Sequence, residues 1–301
     1  MIHGGLQSFS QFIGKYLPGK IQKISINAGF TCPNRDGSKG KGGCIYCNNS
    51  SFSPDYTAAR LSVTEQLEEG KRFFARKYPT MKYLAYFQSY TSTNGPVEQV
   101  IEMIEEAIAV ESVLGIIIGT RPDCMPDKLL QYLQELSRQK FVMVEYGAES
   151  ANDSTLQLIN RCHTWNDTVK AVLRTYDAGI PVGLHFILGL PGETIEDMMT
   201  TIERINSLPV STLKFHQLQI ISGTRLAREY EPNKWHIEQF TPDSYADLCC
   251  EILDRLRKDI AVERFVSQAP DELLISPRWG LKNYQFTDIL LRKIAERNQM
   301  K

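Results

Sequence analysis

The sequence predicts an α/β fold: a partial (β/α)6 TIM-like barrel of parallel strands, followed by a mainly helical C-terminal extension. Three observations carry this. Six short apolar runs, several rich in Ile, Val, Phe and Tyr, recur between residues 21 and 219, as strands buried on both faces do. Helix-period segments separate them, and repeated strand–helix alternation reads as βαβ units around a parallel sheet. Six units over about 200 residues suit an open, partial barrel better than a closed eightfold one.

The strands are expected at 21–27, 82–88, 114–119, 141–147, 180–188 and 212–219. A helix over 63–78 follows Ser62, with Glu65 three positions on, the pattern of a capping box. Helices over 96–111 and 126–138 open with Pro96 and Pro126, residues suited to a first helical turn. A helix over 166–178 ends at Gly179, and one over 194–206 follows the Gly192 turn. Beyond residue 222 the rhythm changes. A helix is expected over 242–258, a late strand over 260–267 and a final helix over 286–298. The chain thus divides into an N-terminal extension (1–20), a core (21–222) and a C-terminal extension (223–301). Sheets of this kind carry their sites at the C-terminal ends of the strands, so functional residues are expected in the loops that follow each strand.

With 301 residues, 42% hydrophobic and 23% charged, the chain has enough apolar surface for a sizeable core, which excludes disorder as its main state. No stretch approaches the ~20 apolar residues that span a bilayer. The N-terminus lacks a basic segment leading into an apolar one, so a cytoplasmic location is expected. The formal charge of −1 conceals an asymmetry: residues 1–60 carry +5, residues 278–301 carry +4, and the middle is acidic. Basic ends could meet a polyanion locally. The seven cysteines are odd in number and irregular in spacing. That argues for metal binding or catalysis and against a disulfide framework.

Three of those cysteines, Cys32, Cys44 and Cys47, lie directly after the first strand with the spacing C-x11-C-x2-C. Gly37, Gly40, Gly42 and Gly43 lie between the first two, and glycines let a loop wrap closely around a bulky inorganic centre. Three thiolates can hold three irons of a [4Fe–4S] cluster and leave the fourth open. An open iron can chelate the amino and carboxylate groups of S-adenosylmethionine, and an electron from the cluster can then release a 5′-deoxyadenosyl radical. Zinc is the competing reading, since C-x2-C is common in zinc sites. No second C-x2-C or nearby H-x3–5-H accompanies it, however. Cys124, Cys162, Cys249 and Cys250 are isolated or adjacent and far along the chain.

With these residues in view, the sequence resembles the radical S-adenosylmethionine superfamily over about residues 20–222. More narrowly it is similar to the elongator-catalytic-subunit-like branch and its YhcC/YtqA group. The matching stretches are ISINAGFTCPNRDGSKGKGGCIYCNN, GTRPDC, YGAESANDSTLQLINRCHT, LGLPGET and KFHQLQIISGTRLA. The resemblance implies a [4Fe–4S] cluster held by Cys32, Cys44 and Cys47, with S-adenosylmethionine as cofactor. It implies that Tyr46 contacts adenine and that Gln88 and Ser89 stand where a glycine-rich loop usually meets the methionine amino group. It places Glu149 at a polar cofactor contact, Arg161 at the cofactor carboxylate, His185 near the ribose, and Gly189, in the run 188–193, beside adenine. A guanidinium fork suits a carboxylate. Each has a plainer reading as well. Glu149 and Arg161 could form a surface ion pair; His185, His216 and Gln217 could be core polar groups. Gly189, Pro191 and Gly192 could simply turn the chain, and Cys249 and Cys250 could be packing residues.

The same resemblance implies a transfer RNA partner and remodelling of the C5 side chain of its wobble uridine. It also implies an electron donor such as flavodoxin or ferredoxin. The basic ends could meet phosphates, with Lys39 and Lys41 in the cysteine loop itself. Residues 277–284 (PRWGLKNY) combine aromatic and basic groups suited to RNA, although Trp279 could instead pack the extension onto the barrel. The stretch after the core is too short for an acetyltransferase domain, so an acetyl-dependent reaction within this chain is not expected. Two alternatives are radical oxidation or modification of a small molecule, as in coproporphyrinogen oxidation, and a zinc-stabilised RNA-binding module without catalysis.

Overall fold

The computed structural model describes all residues except 1–6, 52–53, 55, 58–59, 76–79, 231–234 and 301. Its strands are β1 (Gln7–Ser8), β2 (Ile21–Ile26), β3 (Lys82–Phe87), β4 (Val113–Thr120), β5 (Phe141–Glu149), β6 (Val182–Leu188), β7 (Thr212–Gln217), β8 (Ile220–Ile221), β9 (Ala261–Arg264) and β10 (Leu274–Ser276). Eight of them form one sheet in the order β1-β9-β7-β6-β5-β4-β3-β2, with every pairing parallel. The six expected strands are β2 to β7. The sheet then extends by two: the late strand β9 joins β7, and β1, from the N-terminal segment, joins β9. A two-residue strand is too short to leave a periodic signature, which is why β1 is invisible in the sequence. β8 and β10 make a separate antiparallel pair.

The central strands are buried along nearly their whole length, as strands covered on both faces must be. β4 and β5 approach so closely at Gly115 that a Cβ there would lie 2.0 Å from the Phe141 carbonyl oxygen. The helix Val63–Ala75 follows the expected capping box: Ser62 N donates to Glu65 Oε2 (2.7 Å) and Glu65 N to Ser62 Oγ (3.1 Å). The expected continuation over 76–78 lies outside the described residues. Pro96 and Pro126 do not sit inside their helices. Each has an extended ψ (130° and 144°) and occupies the cap, so the helices start at Val97 and Asp127. Among the described residues no helix is long and apolar enough to cross a membrane.

The C-terminal segment packs its long helix Asn283–Met300 against the helix Pro242–Arg255. Trp279 belongs to that packing. Its Nε1 donates to the Phe240 carbonyl (3.0 Å), and its ring stacks on Phe286 and tilts against Tyr245. Cys249 and Cys250 are buried in the same core.

Inside the barrel, the short helix Phe9–Ile13 plugs one end, with Phe12 and Ile13 packed among Leu84, Ile117 and Met143. Above that apolar plug lies a layer of charge. Lys23 bonds Glu145 (2.9 Å) and Glu263; Lys214 bonds Glu145 (2.6 Å), Glu263 (3.3 Å) and the Tyr86 hydroxyl (3.0 Å). Burial alone would push Glu145 upward, but Lys214 and Lys23 outweigh it and hold the carboxylate well below its usual range. Removing one member leaves buried lysines undercompensated. Glu145→Gln is therefore expected to cost about 3–5 kcal/mol of unfolding free energy in a urea titration. A cost below about 1 kcal/mol would show that the layer adds no net stability.

Candidate functional site

Above the charged layer, at the C-terminal ends of the strands, opens a cavity of about 380 Å³. Cys32, Cys44, Cys47, Tyr46, Gln88, Glu149, Arg161 and His185 all line it. Ser89 and Gly189 are not among its lining residues. Ser89 is buried behind the loop, and Gly189 turns at φ +82°, where an added Cβ would meet the Phe240 ring at 3.2 Å.

The cysteine loop is clasped by the loop after β5. Asn34 donates from Nδ2 to the Asn160 and Arg161 carbonyls (2.5 and 3.2 Å) and approaches Cys44 Sγ at 3.5 Å. Asn160 returns the contact, donating to the carbonyls of Lys41 (3.1 Å) and Gly43 (2.8 Å). Gly42 and Gly43 both take left-handed φ, +80° and +77°, which glycine adopts without strain. Arg35 Nη2 donates to the Cys47 carbonyl (2.8 Å), and Arg161 Nη1 points at Cys44 Sγ (3.6 Å). Burial pushes the Cys47 thiol up to about 11, with Cys44 adding to the effect. Among the described residues no group of three His, Cys, Asp or Glu side chains is placed to share one ion. A four-iron cluster asks for something different, because each thiolate meets its own iron, and the three cysteines face one cavity.

Deeper in, Glu149 and Arg161 form an ion pair (3.3 Å) in which both side chains are only 9% exposed. The pair is buried, so the plainer reading of a surface salt bridge does not hold. Arg161 is closely held: Nη2 donates to the Gly147 carbonyl (2.7 Å) and Nε to His163 Nε2 (3.1 Å). Burial, with Arg161 and Arg121 nearby, pushes His163 down to about 3, so it is neutral and accepts. The arrangement needs glycine at 147, where a Cβ would stand 2.7 Å from Glu149 Oε1 and 2.8 Å from Arg161 Nη2. Glu149 itself takes a left-handed φ of +66°, a strained backbone of the kind that collects at functional sites.

Three polar atoms on residues lining this region are buried without a partner: Glu149 Oε2, Arg121 Nη1 and His185 Nε2. Burial, His216 and Arg264 hold His185 neutral. Together the three offer an acceptor, a cationic donor and a ring nitrogen. S-adenosylmethionine carries the complementary ammonium, carboxylate and hydroxyl groups, so the residues present fit it. Arg121 is the functional candidate that single-residue reasoning missed. It is 1% exposed, and Asp123 takes its Nε and Nη2 (2.9 and 3.0 Å), which leaves Nη1 free. The stretch GTRPDC carried the signal. Lys39, expected to be open for phosphate, instead bonds Asp123 (2.8 Å).

Glu193, in the turn after β6, is 2% exposed and accepts from the Ser150 hydroxyl. Burial pushes it up to about 7. An acid whose pKa is raised by folding holds its proton more tightly in the folded state. Its stability contribution is full below its unfolded value and is lost as pH rises through about 7. Unfolding free energy is expected to fall by roughly 2–4 kcal/mol between about pH 4.5 and 7.5 from this group. Glu193→Gln should remove that slope in urea titrations across the range; an unchanged slope would assign it elsewhere.

Comparison with known proteins places this geometry. Residues 29–205 match the family model of the Radical SAM superfamily, and residues 210–296 match that of the Radical_SAM C-terminal domain. The Bacillus subtilis protein YtqA is 35% identical over 92% of this chain and 86% of its own length. A tRNA uridine(34) acetyltransferase from Methanocaldococcus infernus is 30% identical over 43% of this chain, which is 23% of that protein. The solved structure of the archaeal Methanocaldococcus infernus Elp3 with an N-terminal deletion superposes with a TM-score of 0.68 at 16% identity. It covers 95% of this chain and 65% of that one, and at that identity the likeness speaks for the fold. The extent of the family match settles kinship: the chain belongs to the radical S-adenosylmethionine superfamily, whose members use a [4Fe–4S] cluster and S-adenosylmethionine.

Proposed function

We propose that this chain is a radical S-adenosylmethionine enzyme that remodels the C5 side chain of a wobble uridine in transfer RNA. The single observation that carries the catalytic half is the shared cavity, where Cys32, Cys44 and Cys47 meet the unpartnered atoms of Glu149, Arg121 and His185. Cys32, Cys44 and Cys47 would hold the cluster. When bound, cluster and cofactor supply reductive cleavage of a sulfonium and a carbon radical able to take hydrogen from an unactivated C–H bond. The protein's own part is placement. Glu149 Oε2 would accept from the cofactor ammonium, Arg121 Nη1, in place of the Arg161 expected from the resemblance, would donate to its carboxylate, and His185 Nε2 would meet the ribose. Arg161 acts through Glu149, which it orients. The neutral histidines and the charged layer below close the chamber so that one C–H bond can be held in place.

The RNA half is supported by the partial match to a tRNA uridine(34) acetyltransferase and by the basic ends. Exposed Lys41, Arg278, Lys282 and Tyr284 offer cationic and stacking groups. The reading carries with it a cytoplasmic setting and a low-potential electron donor such as flavodoxin or ferredoxin.

Anaerobically reconstituted protein is expected to bind about four irons and to cleave S-adenosylmethionine under reduction. Cys44→Ala is expected to abolish that cleavage, and retained cleavage would refute the cluster assignment. For the substrate, nucleoside mass spectrometry of transfer RNA from a strain lacking the gene is expected to show an altered wobble-uridine side chain. An unchanged profile would remove the RNA reading and leave the cleavage chemistry standing.

A further inference from the structure

Part of the cavity's lining comes from C-terminal residues, and its chemistry differs from that of the cysteine loop. Arg264, the last residue of β9, and Asn283, the first of the final helix, both line the cavity. Arg264 Nε and Asn283 Oδ1 are buried without a partner. Four arginines line the cavity, and three are committed: Arg35 to the Cys47 carbonyl, Arg121 to Asp123, and Arg161 to Gly147 and Glu149. The Arg264 side chain makes no hydrogen bond or ion pair among the described residues. The acidic groups nearby are already taken. Glu263, its neighbour, bonds Lys23 and Lys214, and Glu145 bonds the same two lysines. His216 and His185, whose ring centroids lie 4.9 Å apart, also line the cavity. Burial, and then Arg264, pushes His216 down to about 4, so its ring is neutral.

The segment is held in place deliberately. Gln217 and Gln219 both donate from Nε2 to the Ser267 carbonyl (3.3 and 3.1 Å), and Ser267 N donates back to Gln217 Oε1 (3.3 Å). Gln268 Nε2 donates to the Leu281 carbonyl (3.1 Å), which fixes the approach to Asn283. A half-buried guanidinium with unfilled donors, beside neutral rings, selects for an oxyanion.

We propose that this part of the cavity is an oxyanion subsite that receives a carboxylate or phosphate group of the substrate, with Arg264 as the cation that holds it. The proposal rests on the cavity being the cofactor and substrate chamber, and it does not depend on the substrate being RNA. Reconstituted protein saturated with S-adenosylmethionine is titrated calorimetrically with inorganic phosphate and, separately, with acetate. At least one anion is expected to bind saturably. Arg264→Gln is expected to weaken that binding tenfold or more, and Arg264→Lys to retain most of it. Asn283→Asp, which adds a negative charge to the lining of the same cavity, is expected to weaken it even if Arg264→Gln does not fold. The affinity of each variant for S-adenosylmethionine should stay within twofold of the parent. Absence of saturable binding, undiminished binding in Arg264→Gln or Asn283→Asp, or a parallel loss of cofactor affinity would each overturn the proposal. A preference for phosphate identifies a nucleotide backbone as the source, and a preference for acetate a carboxylated group. Either result supports the subsite, whatever the transfer RNA profile shows.

Discussion

Lys23 on β2 and Glu263 on β9 belong to opposite flanks of an open sheet, yet they share an ion pair. Their contact requires the sheet to curl until its flanks meet, and Glu145 and Lys214 bridge the space between them. The Lys23 ammonium also lies over the Phe9 ring, 3.8 Å from its centroid, so the plugging helix is tied to the same point. The interior is therefore layered: an apolar plug, then compensated charge, then a cavity with uncompensated polar atoms. Such a layer is costly to desolvate and stabilises only while all its members are paired. What it contributes here is shape. It sets the depth of the chamber and takes up the nearby carboxylates that would otherwise neutralise Arg264.

The chamber's lining comes from two parts of the chain. One is made by the loop after β2 and the segment between β5 and β6, which grip each other through Asn34 and Asn160. The other is made by residues of β9 and the final helix, braced by glutamines from the end of β7 and the loop beyond it. The first set lies within the stretch matched by the superfamily model (29–205), the second within the stretch matched by the C-terminal domain model (210–296).

Much of this was legible in the sequence, for identifiable reasons. The six-unit alternation is a long, periodic signal, and β2 to β7 appear where it places them. Cys32, Cys44 and Cys47 stood out as a group by their spacing, and the structure brings all three to one cavity. Glu149 and Arg161 were legible only through resemblance, and nothing in their spacing announced their bond to each other. That bond depends on Gly147 and on a left-handed turn at Glu149. Arg121 was hidden because its one useful property, a single unpartnered nitrogen, exists only once Asp123 has taken the others. The roles of Lys39 and Trp279 were decided by neighbours far along the chain, Asp123 and Phe240, which no local pattern reveals.

The position of β9 between β7 and β1 has a consequence in time. Its pairing with β1 joins Gln7 to Ala261, residues 254 positions apart in the chain. Contacts so distant in sequence form slowly, because the loop they close is long. β1, which leads directly into the plugging helix, has its place in the sheet only where β9 already lies against β7.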